Sequence, residues 1–456
     1  MASTVLTGFQ SALPSMQSKT KRPPNVLLIM IDDLGWTDLH CQGNDRLETP
    51  NIDRLATQGM RFTDAYSAAP VCSPTRGAIM TGQSPARLAI TNHIPDRKGF
   101  EPDNAILRSA ATVNYLDLDY VTIAERLKEA GYANAFIGKW HLSGTRNEMK
   151  TTEPTRRPER QGFDLNIGGC CYGGPSSYFA PYRNPTIQDK QEGEYLTERL
   201  ADETIDYMRE HRDQPFFVAL WNYTVHWPME APKDLIDKYK TRPGLKDHRY
   251  AAMIEAMDIH IGRVLATLDE LKLADNTLVI FTSDNGALGS VTDLRPLRAC
   301  KGYLYEGGIR VPLIVRWPGV VKPGTTCATP VISTDFYPTI LEIAGLKLNP
   351  KQPMDGESIV PLFRQTGSLQ RKAIYFHYPN YAFHRSNRLG GAIREGDYKL
   401  IEYYDDGSVE LYNLAKDISE QQDLSQQLPD KTQAMKAKLD QWLRASGAKM
   451  PTRIDR

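Results

Sequence analysis

Two apolar stretches of this chain each run into a short cluster of oxygen-bearing side chains. Asp32-Asp33 follows Asn25-Val-Leu-Leu-Ile-Met-Ile31, and Asp284-Asn285-Gly286 follows Thr277-Leu-Val-Ile-Phe-Thr282 and Ser283. Three carboxylates and one amide oxygen make an all-oxygen donor set, which suits calcium or magnesium rather than zinc. Positive and proton-transferring groups are placed in the same way. Gly138-Lys139-Trp140-His141 and His226-Trp227-Pro228 each follow a candidate strand, and Lys301-Gly302 precedes Glu306-Gly307-Gly308-Ile309-Arg310. Two lysines, two histidines, Arg76 and a divalent cation describe a pocket for a compact oxyanion, whose outer oxygens need cations and whose leaving oxygen needs a proton donor.

Cys72-Ser73-Pro74-Thr75-Arg76 is the candidate nucleophile segment. Pro74 fits the first turn of a helix, where its missing N–H costs nothing, and Gly77-Ala78-Ile79-Met80 can continue that helix. Cys72 then falls at a helix N-terminus, where unpaired N–H groups and the macrodipole favour anionic chemistry. Arg76, one turn further on, can bring its guanidinium back towards position 72.

These residues need a rigid frame, and the hydrophobic pattern supplies one. Asn25–Ile31 reads as a buried parallel strand. Ala133–Ile137, Phe216–Leu220 and Thr277–Thr282 are further strands, with helices expected at Pro50–Gly59, Thr122–Ala130 and about Arg249–Leu271. This alternation predicts an α/β fold: a large, mixed, mostly parallel sheet sandwiched by helices, with chemistry at the strand ends. After Leu346 the pattern changes. A loop-rich stretch over 347–370 leads to Ala373–His377, Gly391–Arg394, Tyr398–Tyr403 and Val409–Asn413, with a turn at Asp405-Asp406-Gly407-Ser408 and a closing helix at about Asp430–Ala445. That is a smaller α+β unit, an antiparallel sheet plus a helix. The expected organisation is an arm or leader remnant over 1–22, a catalytic domain over 23–368 and a C-terminal subdomain over 369–456.

Composition narrows the partners. Fifty-five Lys and Arg against 55 Asp and Glu give a formal net charge of zero, which carries no nucleic-acid footprint. Six cysteines in 456 residues are too few for a disulfide framework. No stretch approaches the roughly 20 apolar residues of a membrane span. Met1–Ser18 lacks the charge-then-apolar order of a signal peptide.

Together the motifs resemble those of the type I, formylglycine-dependent sulfatases of the alkaline-phosphatase-like superfamily. The likeness rests on Ile31-Asp32-Asp33-Leu34-Gly35, Cys72 to Arg76, Gly138 to His141, His226-Trp227-Pro228, Ser283 to Gly286, and Lys301-Gly302 with Glu306-Gly307-Gly308. It implies that Cys72 is oxidised to formylglycine (3-oxoalanine) by a formylglycine-generating maturation enzyme. One hydroxyl of the hydrated aldehyde would attack sulfur, and the other would expel sulfate. It also implies one Ca2+ on Asp32, Asp33, Asp284 and Asn285, faced by an oxygen of the modified Cys72. Arg76 and His141 would contact the hydrate, while Lys139, His226 and Lys301 grip sulfate, with His226 or Lys301 protonating the departing alcohol. A periplasmic or secreted location follows from the same resemblance. Two positions depart from the pattern: Thr75, where Ser is commoner, and Asn134, where Ser or Thr is usual.

The expected substrate is a sulfated saccharide or an aryl sulfate. Gly162–Gly169 and Gly173–Tyr182 resemble bacterial members that trim sulfated polysaccharides, and the neutral chain suits exo action on a single terminal sulfate. Candidate recognition residues are His93, Arg97, Ser177 (or Ser176), His377, Tyr381, His384 and Arg385. Two alternatives stand beside this reading: hydrolysis of phosphodiesters or phosphonate monoesters by the same aldehyde, and a non-catalytic glycan-binding relative whose Cys72 stays a thiol.

Overall fold

The computed structural model describes residues 22–145 and 156–455, so the expected N-terminal arm, apart from Arg22, lies outside the described residues. Eight strands form the main sheet: β1 (Asn25–Ile31), β2 (Met60–Phe62), β3 (Ala133–Gly138), β4 (Leu165–Ile167), β5 (Phe216–Trp221), β6 (Thr277–Ser283), β7 (Leu313–Arg316) and β8 (Thr325–Cys327). Their spatial order is β8-β2-β7-β6-β1-β5-β3-β4. The run from β6 through β1, β5 and β3 to β4 is parallel, and β7 runs antiparallel to both β6 and β2.

The continuous apolar runs are explained by burial on both faces. Leu27, Ile29 and Ile31 of β1 point into one core with the helices Pro50–Gln58, Leu196–Glu210 and His248–Glu270. Val26, Leu28 and Met30 point into the other, with Ile79 and Met80 of the Cys72–Thr81 helix and with the helices Ile123–Glu129 and Phe336–Ile343. The Leu196–Glu210 helix and the short strands β2, β4, β7 and β8 extend the sheet and its cover beyond the elements expected from the pattern alone.

A second sheet is an antiparallel meander of β9 (Ala373–Tyr378), β10 (Gly390–Glu395), β11 (Tyr398–Tyr403) and β12 (Val409–Asn413). One face, through Ile374, Phe376, Ala392 and Ile401, packs on Tyr66, Val71, Ala78 and Ile309. The other, through Ile393, Leu400 and Leu411, is covered by Met435, Leu439 and Leu443 of the Pro429–Ser446 helix. The meander is thereby held against the helix that carries Cys72.

Candidate active site

Register brings the motifs together. Ile31 pairs with Ser283, so Asp32-Asp33 and Asp284-Asn285 leave adjacent parallel strands side by side. On the other flank Met30 pairs with Trp221, and Trp221 with Gly138, so Lys139 leaves the same edge of the sheet. Gly138 has φ of 118°, and a Cβ there would sit 1.9 Å from the Trp221 carbonyl oxygen. Only glycine fits, and it lets Lys139 N–H donate to that carbonyl at 2.7 Å. Asp33 and His141 adopt left-handed backbone (φ 62° and 59°), a strained conformation for such residues that the surrounding packing must impose.

Cys72 is the first residue of its helix, whose N-cap, Val71, supplies no side-chain acceptor. The flanking hydroxyls brace this turn. Ser73 donates to the His141 carbonyl (3.1 Å) and accepts from Ile94 N–H (3.1 Å), and Thr75 Oγ1 bridges the N–H and carbonyl of Ala69 (3.2 and 3.3 Å). Thr75 therefore makes contacts that need only a hydroxyl. Asn134 donates to the carbonyls of Ala124 and Gly162 within β3, away from the site.

The charged groups form one buried cluster. Lys139 donates to Asp32 Oδ2 at 2.6 Å, and Lys301 to Asp33 Oδ1 at 2.5 Å. Arg76 donates to Asp284 Oδ2 at 3.0 and 2.6 Å and also to the Lys139 carbonyl, so its guanidinium braces the carboxylates. Burial pushes the Asp32 carboxyl well up, against Lys139. For Asp33 burial is outweighed by Lys301, His226 and Lys139, which hold it below the usual range. Burial also raises the Cys72 thiol, which makes it a poor nucleophile as it stands. Burial lowers His226 to about 3 and His141 well below its ordinary value, so both rings are neutral. His226 Nε2 lies 3.8 Å from Asp33 Oδ2, and His141 Nε2 bonds the Ile94 carbonyl.

These residues also pass a test for a metal. Asp32 Oδ1, Asp33 Oδ2 and Asn285 Oδ1 are buried without a hydrogen-bond partner among the described residues. Ligand atoms of Asp32, Asp284 and Cys72 lie within 4.8 Å of one another. Buried lone pairs are rarely left unused, and these are the atoms that a hard cation would take.

Above the cluster opens a cavity of about 680 Å³, lined by Asp33, Cys72, His141, His226 and Lys301 at its floor. Its walls are His93 to Pro95, Arg97, Phe100, Thr145, Cys171 to Gly174, Trp227, Leu288 and Phe383. Of the expected recognition residues, His93 and Arg97 line it. His384 stands just behind the wall, with its ring nitrogen 3.2 Å from the Lys301 carbonyl. The rest are placed elsewhere. Ser177 donates to Glu230 at 2.9 Å. His377 is buried between Tyr404 (2.7 Å) and the Lys449 carbonyl (3.0 Å), which satisfy both ring nitrogens. Tyr381 packs with Ala105, Leu107 and Leu389, and Arg385 is exposed and donates to the Gly99 carbonyl. Phe100, Tyr172 and Phe383 are wall residues that lie outside the sequence motifs. Their signal, an aromatic side chain outside the long helices and strands, is shared by many non-site positions.

Comparison with known proteins gives the family. The sulfatase family model matches residues 24–346, and a model described as N-sulphoglucosamine sulphohydrolase, C-terminal, matches residues 300–449. The chain belongs to the sulfatase family, within the alkaline-phosphatase-like superfamily, and is a sulfatase. It is 35% identical to a sulfatase of Formosa agariphila over 97% of this chain and 92% of that protein. It is 33% identical to human N-acetylgalactosamine-6-sulfatase over 79% of this chain and 69% of the relative. Among solved structures, Ps i-CgsB in complex with k-i-k-neocarrahexaose superposes with a TM-score of 0.80 at 29% identity, over 92% of this chain and 93% of that one.

Proposed function

We propose that this sulfatase removes sulfate from a sulfated saccharide, with Cys72 converted to formylglycine and Ca2+ held by Asp32, Asp33, Asp284 and Asn285. The observation that carries the reading is the placement of Cys72 at the cavity floor, beside buried oxygens that lack hydrogen-bond partners. Formylglycine would supply a geminal diol, one hydroxyl attacking sulfur and the other expelling sulfate as the aldehyde re-forms. The calcium would withdraw charge from the sulfate oxygens and the attacking hydroxyl. Calcium fits better than magnesium, because a cage of protein oxygens suits an ion that sheds its waters readily.

The chain's own residues complete the chemistry. Arg76, tied to Asp284, holds the carboxylates in place and adds positive potential beside position 72. Lys301 at the floor would present its ammonium group to sulfate oxygens, and Lys139, buried against Asp32, would add positive potential from within, where charge is worth more than in water. His141, fixed by the Ile94 carbonyl, keeps Nδ1 without a hydrogen-bond partner among the described residues, and from the cavity floor it could accept one from the diol. At the floor Lys301 carries protons for the departing alcohol oxygen, and His226, neutral at rest, could serve once a bound anionic ester favours its charged form.

Family membership alone does not choose the substrate, since mouse steryl-sulfatase is also 33% identical. The saccharide reading is supported by the polar and aromatic wall, and by the neocarrahexaose held by Ps i-CgsB on the same fold. A net charge of zero supports action at a chain end or on short oligosaccharides rather than along a polyanion. Equal rates per internal sulfate on polymer and oligosaccharide would overturn that part. The experiment for the whole reading is Cys72→Ala, assayed on nitrophenyl sulfate and sulfated oligosaccharides. Turnover should vanish with the fold intact; a rate within about tenfold of wild type, about 1.4 kcal/mol in barrier, rules out the aldehyde mechanism.

A further inference from the structure

Large apolar side chains on this surface are few, and two of them converge on the cavity. Trp227 (45% exposed) and Phe383 (40%) are the exposed Trp and Phe side chains among the described residues, and both line the space above Cys72. They come from different parts of the fold. Trp227 directly follows His226 after β5, and Phe383 sits in the β9–β10 loop of the C-terminal meander. That loop is anchored: His384 stacks on Tyr303 at 4.5 Å between ring centroids, and its ring also reaches the Lys301 carbonyl. Lys301 Nζ lies 5.9 Å from the Phe383 ring centroid, so a sugar resting its C–H face on Phe383 has a substituent within reach of that ammonium.

Charge at the wall is just as selective. Lys301 is paired with Asp33, whereas the Arg97 guanidinium, exposed on the wall, has no hydrogen bond or ion pair with any described residue. His93 beside it bonds Asn92 through Nδ1 at 3.3 Å, which leaves Nε2 for a hydroxyl. Burial and Lys301 lower the His93 ring to about 3, so it contributes no charge of its own.

Resting on the sulfatase reading, we propose that the cavity mouth is a subsite for a saccharide bearing a second anionic group, sulfate or carboxylate, besides the ester cleaved. Phe383 and Trp227 supply the apolar surfaces for the ring, and Arg97 takes the second anion. The planar guanidinium fork matches two oxygens of such a group at once. An apolar surface with a few placed polar groups is how ligand sites fix orientation. The C-terminal meander thus takes part in substrate choice through Phe383.

The test is calorimetric binding to the Cys72→Ser protein, which removes turnover from the readout. The probes are galactan tetrasaccharides with one or two sulfates per disaccharide, and glucosamine-containing disaccharides with one or two sulfates. Wild-type mouth residues should favour the doubly charged member of a pair. Arg97→Gln should cut that preference about tenfold, Arg97→Lys should keep part of it, and Phe383→Ala should weaken both members together. Preference for the singly charged ligand, a preference unchanged in Arg97→Gln, or no saccharide binding at all would each overturn the proposal. Turnover of nitrophenyl sulfate by the wild-type enzyme separates such a failure from failure of the sulfatase reading itself.

Discussion

Two buried charge clusters in this molecule are built from the same kinds of groups and end in opposite states. At the strand ends, Asp32, Asp33 and Asp284 face Arg76, Lys139 and Lys301. Between the main sheet and the meander, Asp64, Glu306 and Glu420 face Arg310, Arg394 and Lys399. In the second cluster every carboxylate oxygen is used. Lys399 donates to Glu306 Oε1 and Glu420 Oε1 (both 2.9 Å), Tyr66 and Arg310 to Glu306 Oε2, and Glu306 N–H to Glu420 Oε2. Arg394 and Arg310 take the two oxygens of Asp64. The first cluster leaves Asp32 Oδ1, Asp33 Oδ2 and Asn285 Oδ1 without a hydrogen bond. A satisfied buried network fixes one arrangement, and a partly satisfied one costs stability unless something else binds there. The contrast supports the reading of the first as a site and of the second as an anchor for the segment that carries Lys301.

The difference can be broken from either side. Asp284→Asn removes one negative charge from the proposed metal cage while keeping shape. Metal content and turnover should fall together, kcat by about a thousandfold, roughly 4 kcal/mol in barrier. Elemental analysis beside steady-state kinetics checks this, and full metal occupancy in an inactive variant would reassign Asp284. Lys399→Met should instead lose stability, about 3–5 kcal/mol by denaturant titration, because Glu420 loses its cation and Glu306 is left with Arg310 alone. The folded fraction of that variant should retain kcat. Loss of turnover at unchanged stability would place Lys399 in the active site and erase the distinction.

Chelation sharpens the comparison next. A calcium ion at 100 times its Kd contributes about 2.7 kcal/mol, so chelator should lower the melting temperature of wild type and of Lys399→Met alike. An unchanged melting temperature in both would contradict the metal assignment. Removing the proton donor should matter by leaving group. If Lys301 or His226 protonates the alcohol, its replacement by Met or Asn should cost about tenfold more on a sugar sulfate than on nitrophenyl sulfate, whose phenolate leaves unaided. Equal losses would assign that residue to sulfate binding alone.

The smallest effect concerns pH and belongs to the anchor. Burial pushes Glu420 up to about 7 despite Lys399, while Glu306 is held down to about 2 because Lys399, Arg310 and Arg394 outweigh its burial. A carboxyl whose folded value is raised binds its proton more tightly when folded. Its contribution is complete at acid pH and is lost as pH rises through about 7. Unfolding free energy should therefore decline from about pH 4.5, the ordinary carboxyl value, to about 7 and level off above it, and Glu420→Gln should flatten the decline. An unaltered slope in that variant would assign it to other groups.

Much of the site was legible because its residues end long buried strands. Runs such as Asn25–Ile31 and Thr277–Ser283 announce themselves by hydrophobicity, and a strand end in an open α/β sheet is where functional side chains gather. β2, β4, β7 and β8 are three or four residues long, too short for a periodic signal, and are held by their neighbours. The Leu196–Glu210 helix did carry a readable stripe at Leu196, Leu200 and Ile205. The anchor was not legible, since Glu306, Lys399 and Glu420 come from distant segments and each alone resembles a surface charge. His377 misled for the converse reason: its type suggested chemistry, and only tertiary contacts show both nitrogens satisfied. Phe383 acquires a role only because the meander packs on the Cys72 helix.

The central claim is that Cys72 becomes the nucleophile as formylglycine beside a metal. The most direct measurement is the mass of the peptide spanning position 72, taken from preparations of graded specific activity. The account predicts a species roughly 18 Da below the thiol peptide, the mass change of converting the cysteine to the aldehyde nucleophile, whose fraction rises in proportion to activity. A fully active preparation in which that peptide is entirely thiol would contradict it.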